Sequence, residues 1–196
     1  MSFINDADEE KLEALRPIFE GTAAVMGFIP NSYYAMANWP ELLTHFSGLA
    51  RTVLGPGEVE PGLKQLVAFV SSNASGCRYC QAHTSHNAVK LGVSTEKMQA
   101  AFEFSTSPLF TDAERAALDL ALHAGVVPNA TEAKHFEAKK AHYSDRQIAE
   151  VVAVISLFGY LNRWNDTMAT NLEGQAVDFA ATNLSGFGWE PSKHQS

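Results

Sequence analysis

Residues 73–94 read NASGCRYCQAHTSHNAVKLGVS and hold both cysteines of the chain. Cys77 and Cys80 stand three positions apart, with His83 and then His86 each three further on. Three kinds of chemistry fit these residue types. A shared metal would need all ligands about 2.0–2.3 Å from one ion. On one helix, Cys77 and His86 lie roughly 13 Å apart along the axis, so the four cannot surround one zinc. No metal and no cofactor are expected here. A packed, inert pair is the second possibility, since cysteine behaves as a small hydrophobe. Gly76, Arg78, Tyr79, Gln81 and Thr84 make a polar setting for that.

A redox pair explains more. Two cysteines spaced C-x-x-C at a helix start can close a disulfide, and the helix N-terminus favours a thiolate there. His83 lies about 60° around the helix from Cys80, so its imidazole can take the thiol proton and pass it to a leaving oxygen. A thiolate oxidised to a sulfenic acid is then resolved to a disulfide by the second thiol. His86 falls about 240° from Cys80 and reads as a surface or core residue. His45, His123, His135, His142 and His194 have no ligand-like spacing to the cysteines and receive no role.

The elements that must position this segment are helical throughout. Asp6 is a candidate cap for a first helix that GFIPN (27–31) ends, and Pro40 suits the first turn of a helix through Leu54. LGPGEVEPG (54–62) is the clearest break. After Pro61, the positions Leu63, Leu66, Val67, Val70 and Ala74 follow the spacing of an amphipathic helix. The cysteine helix follows and ends near Gly92; Ser94 starts another. Thr111 with Glu114, and Ser144 with Gln147, are capping boxes that begin two more. The last long helix, from about Asp145 past Trp164, is apolar nearly all round between Ile148 and Leu161, which predicts burial on every side, part of it by a neighbouring subunit. The tail SGFGWEPSKHQS (185–196) is expected to be frayed or docked on a partner chain. Nothing alternates like a strand, so the fold class is all-α. A single helical domain, 1–196, is expected, with an N-terminal arm (1–56), a core carrying the C-x-x-C helix (57–184) and the tail (185–196).

Composition bounds the function. Among 196 residues, 46% are hydrophobic and only 18% charged, below the roughly 25% of an average soluble protein. So thin a charged surface predicts a homo-oligomer. A net charge of −8 argues against a nucleic-acid partner. No run reaches the ~18 apolar residues of a membrane span, and the acidic start MSFINDADEEKLEALR is unlike a leader. A cytoplasmic protein with no membrane partner is expected. The twelve Phe, three Trp and five Tyr read as core.

With these residues in view, QLVAFVSSNASGCRYCQAH (65–83) followed by LGVS (91–94) resembles the alkyl hydroperoxidase D-like, carboxymuconolactone decarboxylase superfamily, in its peroxidase-related branch. GFIPNSYYAMANWPELL (27–43) and LFGYLNRWND (157–166) add weaker likeness. The resemblance implies an alkyl hydroperoxidase D-like helical bundle assembled as dimers, trimers or hexamers. It implies a peroxidase acting on an organic hydroperoxide or hydrogen peroxide, recharged by a dithiol or protein reductant, with Cys80 peroxidatic and Cys77 resolving. Helix-terminus electrostatics alone would favour Cys77 as the attacking sulfur; the expectation follows the resemblance because a peroxidase must also protonate its leaving oxygen, and Cys80 is nearer His83. Two positions depart from the family pattern: Gln65 stands where a glutamate is expected, and Thr84 where a histidine is, with His83 beside it. Gln65 can orient an imidazole but cannot carry a proton. A redox-sensing or ligand-binding scaffold and a lactone-decarboxylase-type lyase are the alternatives.

Overall fold

The computed structural model describes residues 2–195, and those residues form helices and turns without a strand. Asp8, not Asp6, caps the first helix: its carboxylate accepts from the Lys11 amide, and α1 (Glu9–Ala14) stops at Leu15, where α2 (Arg16–Met26) begins with Pro17 in its first turn. Gly27, at φ 83°, ends α2 in a left-handed conformation that glycine adopts without strain. Two helices follow, α3 (Asn31–Met36) and α4 (Pro40–Leu54), the latter with the predicted proline start.

The hub is α5 (Pro61–Ser75), packed against α6 (Arg78–Lys90), α8 (Asp112–Gly125) and α10 (Asp145–Met168). The sequence pattern gave α5 one apolar face, yet every residue from Lys64 to Ser72 is buried. Leu66, Val67, Phe69 and Val70 carry the packing, each worth about 1.5–3 kcal/mol for a fully buried large apolar side chain. Approach to α8 is closest at Gly125, where a Cβ would sit 2.8 Å from the Ser71 carbonyl oxygen, so only glycine fits. Short α7 (Thr95–Gln99) is capped by Ser94, and α9 (Ala133–Lys140) lies against α8. α11 (Gly174–Asn183) packs on α6. Both predicted capping boxes, Thr111–Glu114 and Ser144–Gln147, are formed.

α10 is not buried on every side. Its inward positions, from Ile148 to Asn165, are covered by α4, α5, α6 and α8. Ala149, Val152, Ser156, Gly159 and Arg163 form one exposed strip. The described part of the tail is not frayed but folds back on its own chain. Trp189 and His194 are buried against the same chain, through Trp189 Nε1 donating to the Arg78 carbonyl (3.1 Å) and the Leu172 amide donating to the His194 carbonyl (3.0 Å). No described helix is long and apolar enough to cross a membrane.

One buried ionic knot fixes the loop between α4 and α5. Glu150 of α10 accepts from the Glu58 amide (3.0 Å), the Val59 amide (3.2 Å) and Arg146 Nε (2.9 Å), and pairs with buried Lys64 at 3.1 Å. Lys64 Nζ donates in turn to the carbonyls of Val53 and Gly55, both at 3.0 Å. Gly57 passes so close to the Glu150 carboxylate that a side chain there would displace the carboxylate from its donors.

Candidate active site

The turn from α5 into α6 sets the geometry of the cysteines. Gly76, at φ 78°, closes α5, with its amide bonded to the Asn73 carbonyl and the Cys77 amide to that of Ser72 (3.1 and 3.2 Å). Cys77 thereby becomes the N-cap of α6, and its Sγ accepts from the Cys80 amide at 3.4 Å. This is where a helix N-terminus holds negative charge. Both cysteines are free thiols, and both are buried.

Cys80 lies one turn into the helix. Asn165 of α10 donates its Nδ2–H to Cys80 Sγ at 3.6 Å. Burial, followed by the neighbouring Cys77 sulfur, pushes the Cys80 thiol well above its usual range; the Asn165 bond pulls the other way, and the Asp166 carboxylate adds to the rise. Thr84, at the position where the resemblance expects a histidine, turns its hydroxyl onto the Cys80 carbonyl (2.7 Å).

His83 and Gln65 do not meet. The Oε1 of Gln65 is buried without a hydrogen-bond partner among the described residues. His83 Nε2 instead lies 2.5 Å from Glu173 Oε2. Glu173, the residue before α11, also accepts from the Tyr79 hydroxyl at 2.8 Å and from the Asn31 amide. Burial would raise the Glu173 acid, but the attraction and bond from His83, with the Asn31 and Tyr79 bonds, outweigh it and hold the carboxyl below its usual range. Tyr79 stacks on the His83 ring, centroids 4.4 Å apart, and Phe28 covers it at 5.4 Å. Burial first, then Glu173, pushes the Tyr79 phenol well up, so it stays a donor. His86 sits between Phe28 and Phe179, away from the sulfurs.

A carboxylate–histidine pair thus involves the cysteine helix, His83 lying one turn beyond Cys80, with its carboxylate drawn from a place the sequence did not flag. Glu173 is 90 positions from His83, and no local spacing links them. Asn165 and Asp166 fall within LFGYLNRWND, which the sequence singled out as a weaker part of the family likeness without giving either residue a role. A cleft of about 620 Å³, lined by Ser71, Ser75, Gly125, Asn162, Arg163 and Asp166, opens between α5, α8 and α10. From the tail side, His194 lies with its Nε2 3.7 Å from the Asp166 carboxylate.

Comparison with known proteins agrees with this architecture. A family model described as the carboxymuconolactone decarboxylase family matches residues 40–123. The crystal structure of the debrominase Bmp8, as a cysteine-to-alanine variant in complex with 2,3,4-tribromopyrrole, is 32% identical, covers 93% of this chain and 99% of its own, and superposes with a TM-score of 0.86. The alkylhydroperoxidase AhpD core of an uncharacterized peroxidase-related protein from Ralstonia eutropha JMP134 shares the fold at 20% identity, over 89% of this chain and 94% of its own (TM-score 0.79). The uncharacterized protein YnjA of Escherichia coli K12 is 28% identical over 148 residues, 76% of each chain.

Proposed function

The chain belongs to the carboxymuconolactone decarboxylase family, and from that membership we propose a dithiol-dependent reductase that acts as a thiol peroxidase on hydroperoxides. The observation that carries this reading is the pair of free sulfurs on the first turn of α6, one at the N-cap accepting the other's amide.

The two sulfurs divide the work through their surroundings. Cys77, at the helix N-cap, is the one placed to carry charge and attack the peroxide oxygen. The O–O bond breaks, Cys77 becomes a sulfenic acid, and the departing alkoxide takes the proton that Cys80 holds. The Cys80 thiolate so formed attacks the sulfenic sulfur, hydroxide leaves as water, and a disulfide remains. An external dithiol or protein reductant restores the pair. The balance is one hydroperoxide and two thiols giving one alcohol, one water and one disulfide. This division differs from the one the resemblance carries, and its support is Cys77's place at the N-cap of α6, where its sulfur accepts the Cys80 amide. His83, locked by Glu173 one turn beyond Cys80, is the relay that returns the proton to the pair.

A second reading has its own support in the likeness to the debrominase. The same dithiol can reduce a brominated heteroaromatic: bromine passes to sulfur, the ring carbon gains a proton, and the second thiol displaces bromide. Two thiols and one C–Br bond give one C–H bond, HBr and a disulfide. Self-association is proposed for the open strip of α10 and the apolar groove beside it, lined by Leu42, Phe46, Leu49, Val53 and Leu157. Light scattering should then give a mass several times 21.3 kDa.

Counting free thiols after one equivalent of cumene hydroperoxide or of 2,3,4-tribromopyrrole separates the substrate classes. Rapid loss of both thiols with turnover in dithiothreitol identifies the substrate; no loss with either removes the reductase reading. In Cys80→Ser, a dimedone-type reagent should trap a sulfenic acid on Cys77. An adduct that forms only on Cys80, in Cys77→Ser, restores the division the resemblance implies.

A further inference from the structure

Away from the thiols, α8 and α9 bring together a second set of groups able to do chemistry. Asp119 and His123 are one turn apart on α8, and His135 faces them from α9. Their ligand atoms all lie within 4.8 Å of one another. His135 Nε2 is 3.7 Å from Asp119 Oδ2, and the two imidazole rings sit with centroids 4.3 Å apart.

The outer bonds of the two rings matter as much as the spacing. His123 Nδ1 lies 2.8 Å from the Asp119 carbonyl oxygen, so that nitrogen carries the proton and Nε2 is left as a bare lone pair. The same Nδ1 lies 3.4 Å from Asp119 Oδ1, and a carbonyl on one ring nitrogen is the usual way a histidine is oriented to offer the other to a metal. His135 Nδ1 accepts from the Glu132 amide at 2.8 Å and also lies 3.2 Å from the Glu132 carbonyl. In the free protein this places its proton on Nε2, towards Asp119. A metal at Nε2 moves that proton to Nδ1, where the Glu132 carbonyl can accept it.

Lys139, one turn beyond His135, is fully buried with its Nζ unpaired by any hydrogen bond, over the Phe136 ring at 4.7 Å. Burial holds its pKa down at about 8 against the pull of Asp119. His123 and Asp119 are 34% and 43% exposed, which leaves a solvent route for the ion and freedom for both side chains to close on it.

We propose that Asp119, His123 and His135 form a site for a divalent transition metal of the zinc class, joining α8 to α9. Two imidazoles and one carboxylate suit zinc, with water in the fourth position. The ligand atoms must draw in by about 1 Å, since nitrogens on one tetrahedral zinc lie roughly 3.3 Å apart.

The experiment uses the full chain carrying Cys77→Ser and Cys80→Ser, so that thiolates cannot compete for the ion. Equilibrium dialysis against micromolar zinc chloride should give one zinc per chain. His123→Ala in that background should weaken binding by more than about tenfold, and nitrogen-15 spectra should show the His135 proton moving from Nε2 to Nδ1 when zinc is added. No zinc bound below about 1 mM, or binding unchanged by His123→Ala, would overturn the proposal. Should the buried His135→Ala variant fail to fold, His123→Ala and Asp119→Asn, both at the surface, still decide it.

Discussion

Two buried carboxylates, Glu150 and Glu173, are held by nearly the same number of donors and serve opposite ends. Glu150 is bonded by two backbone amides, an arginine and a buried lysine. Amide hydrogens do not come and go, and the guanidinium stays charged at any pH the fold survives. The Glu173 partners are an imidazole, a phenol and one backbone amide. Of these, only the imidazole is a proton carrier; the phenol stays a donor. Permanent donors make a lock, and a titratable donor makes a relay; the chemistry of the partners, rather than burial, separates the two.

The largest expected effect is on the lock. Glu150→Ala leaves Lys64 buried without its counter-charge, and breaking a buried pair by removing one partner costs about 3–5 kcal/mol. Urea titration should show that loss, while the peroxide rate per folded molecule stays near the parent's. A variant that unfolds no more easily than the parent would end the contrast.

Next comes the relay. His83→Ala and Glu173→Gln should each slow peroxide-driven turnover at neutral pH by roughly 10²-fold, with the deficit shrinking at alkaline pH, where thiols ionise unaided. Stopped-flow thiol oxidation across pH tests this, and a deficit constant with pH assigns the pair a purely structural role.

Acid sharpens the comparison further. Both carboxyls have folded pKa values below their unfolded ones, Glu150 at about 2, mainly through the Glu58 amide bond. A lowered value means stability present above the ordinary carboxyl range and lost as pH falls through the folded value. Between pH 4.5 and pH 2, the parent should therefore lose more stability than Glu150→Gln does. Parallel acid-unfolding curves would show that Glu150 takes no part.

The smallest effects belong to Gln65 and Trp189. Gln65→Glu, which the family pattern would call a restoration, should not raise the rate, because Oε1 at that position is buried without a hydrogen-bond partner among the described residues; a modest loss of melting temperature is expected. Trp189→Phe removes one bond to the Arg78 carbonyl, worth about 1 kcal/mol, and should mainly quicken thiol labelling by a disulfide reagent.

These contrasts also show what the sequence could reveal. The Cys77–Cys80–His83 row was legible because all three sit within two turns of one helix, where spacing fixes direction. The boxes at Thr111 and Ser144 were legible for the same reason, since each bond spans three residues. α9 escaped notice because AKHFEAKK shows no apolar face, and α3 because it is one short turn after a proline. Asp6 and Asp8 are chemically equal caps two positions apart, and only packing chooses between them. Glu173 could not be paired with His83 from spacing, nor His123 with His135, because tertiary folding brings each pair together. The all-round apolar pattern of α10 was read as burial on every side, part of it by a neighbouring subunit, whereas within the chain only the inward positions are covered. The same pattern hid the open strip, since alanine, serine and glycine count as neutral on either side.

The Trp189 bond to the Arg78 carbonyl also has a consequence in time. Its two ends are 111 positions apart in the chain. At the usual 5–20 residues per second of synthesis, roughly 6 to 22 s separate the making of the cysteine helix from that of its cover. For that interval the dithiol emerges unshielded, and an oxidant in the translating cell meets it before the finished protein can govern what reaches it.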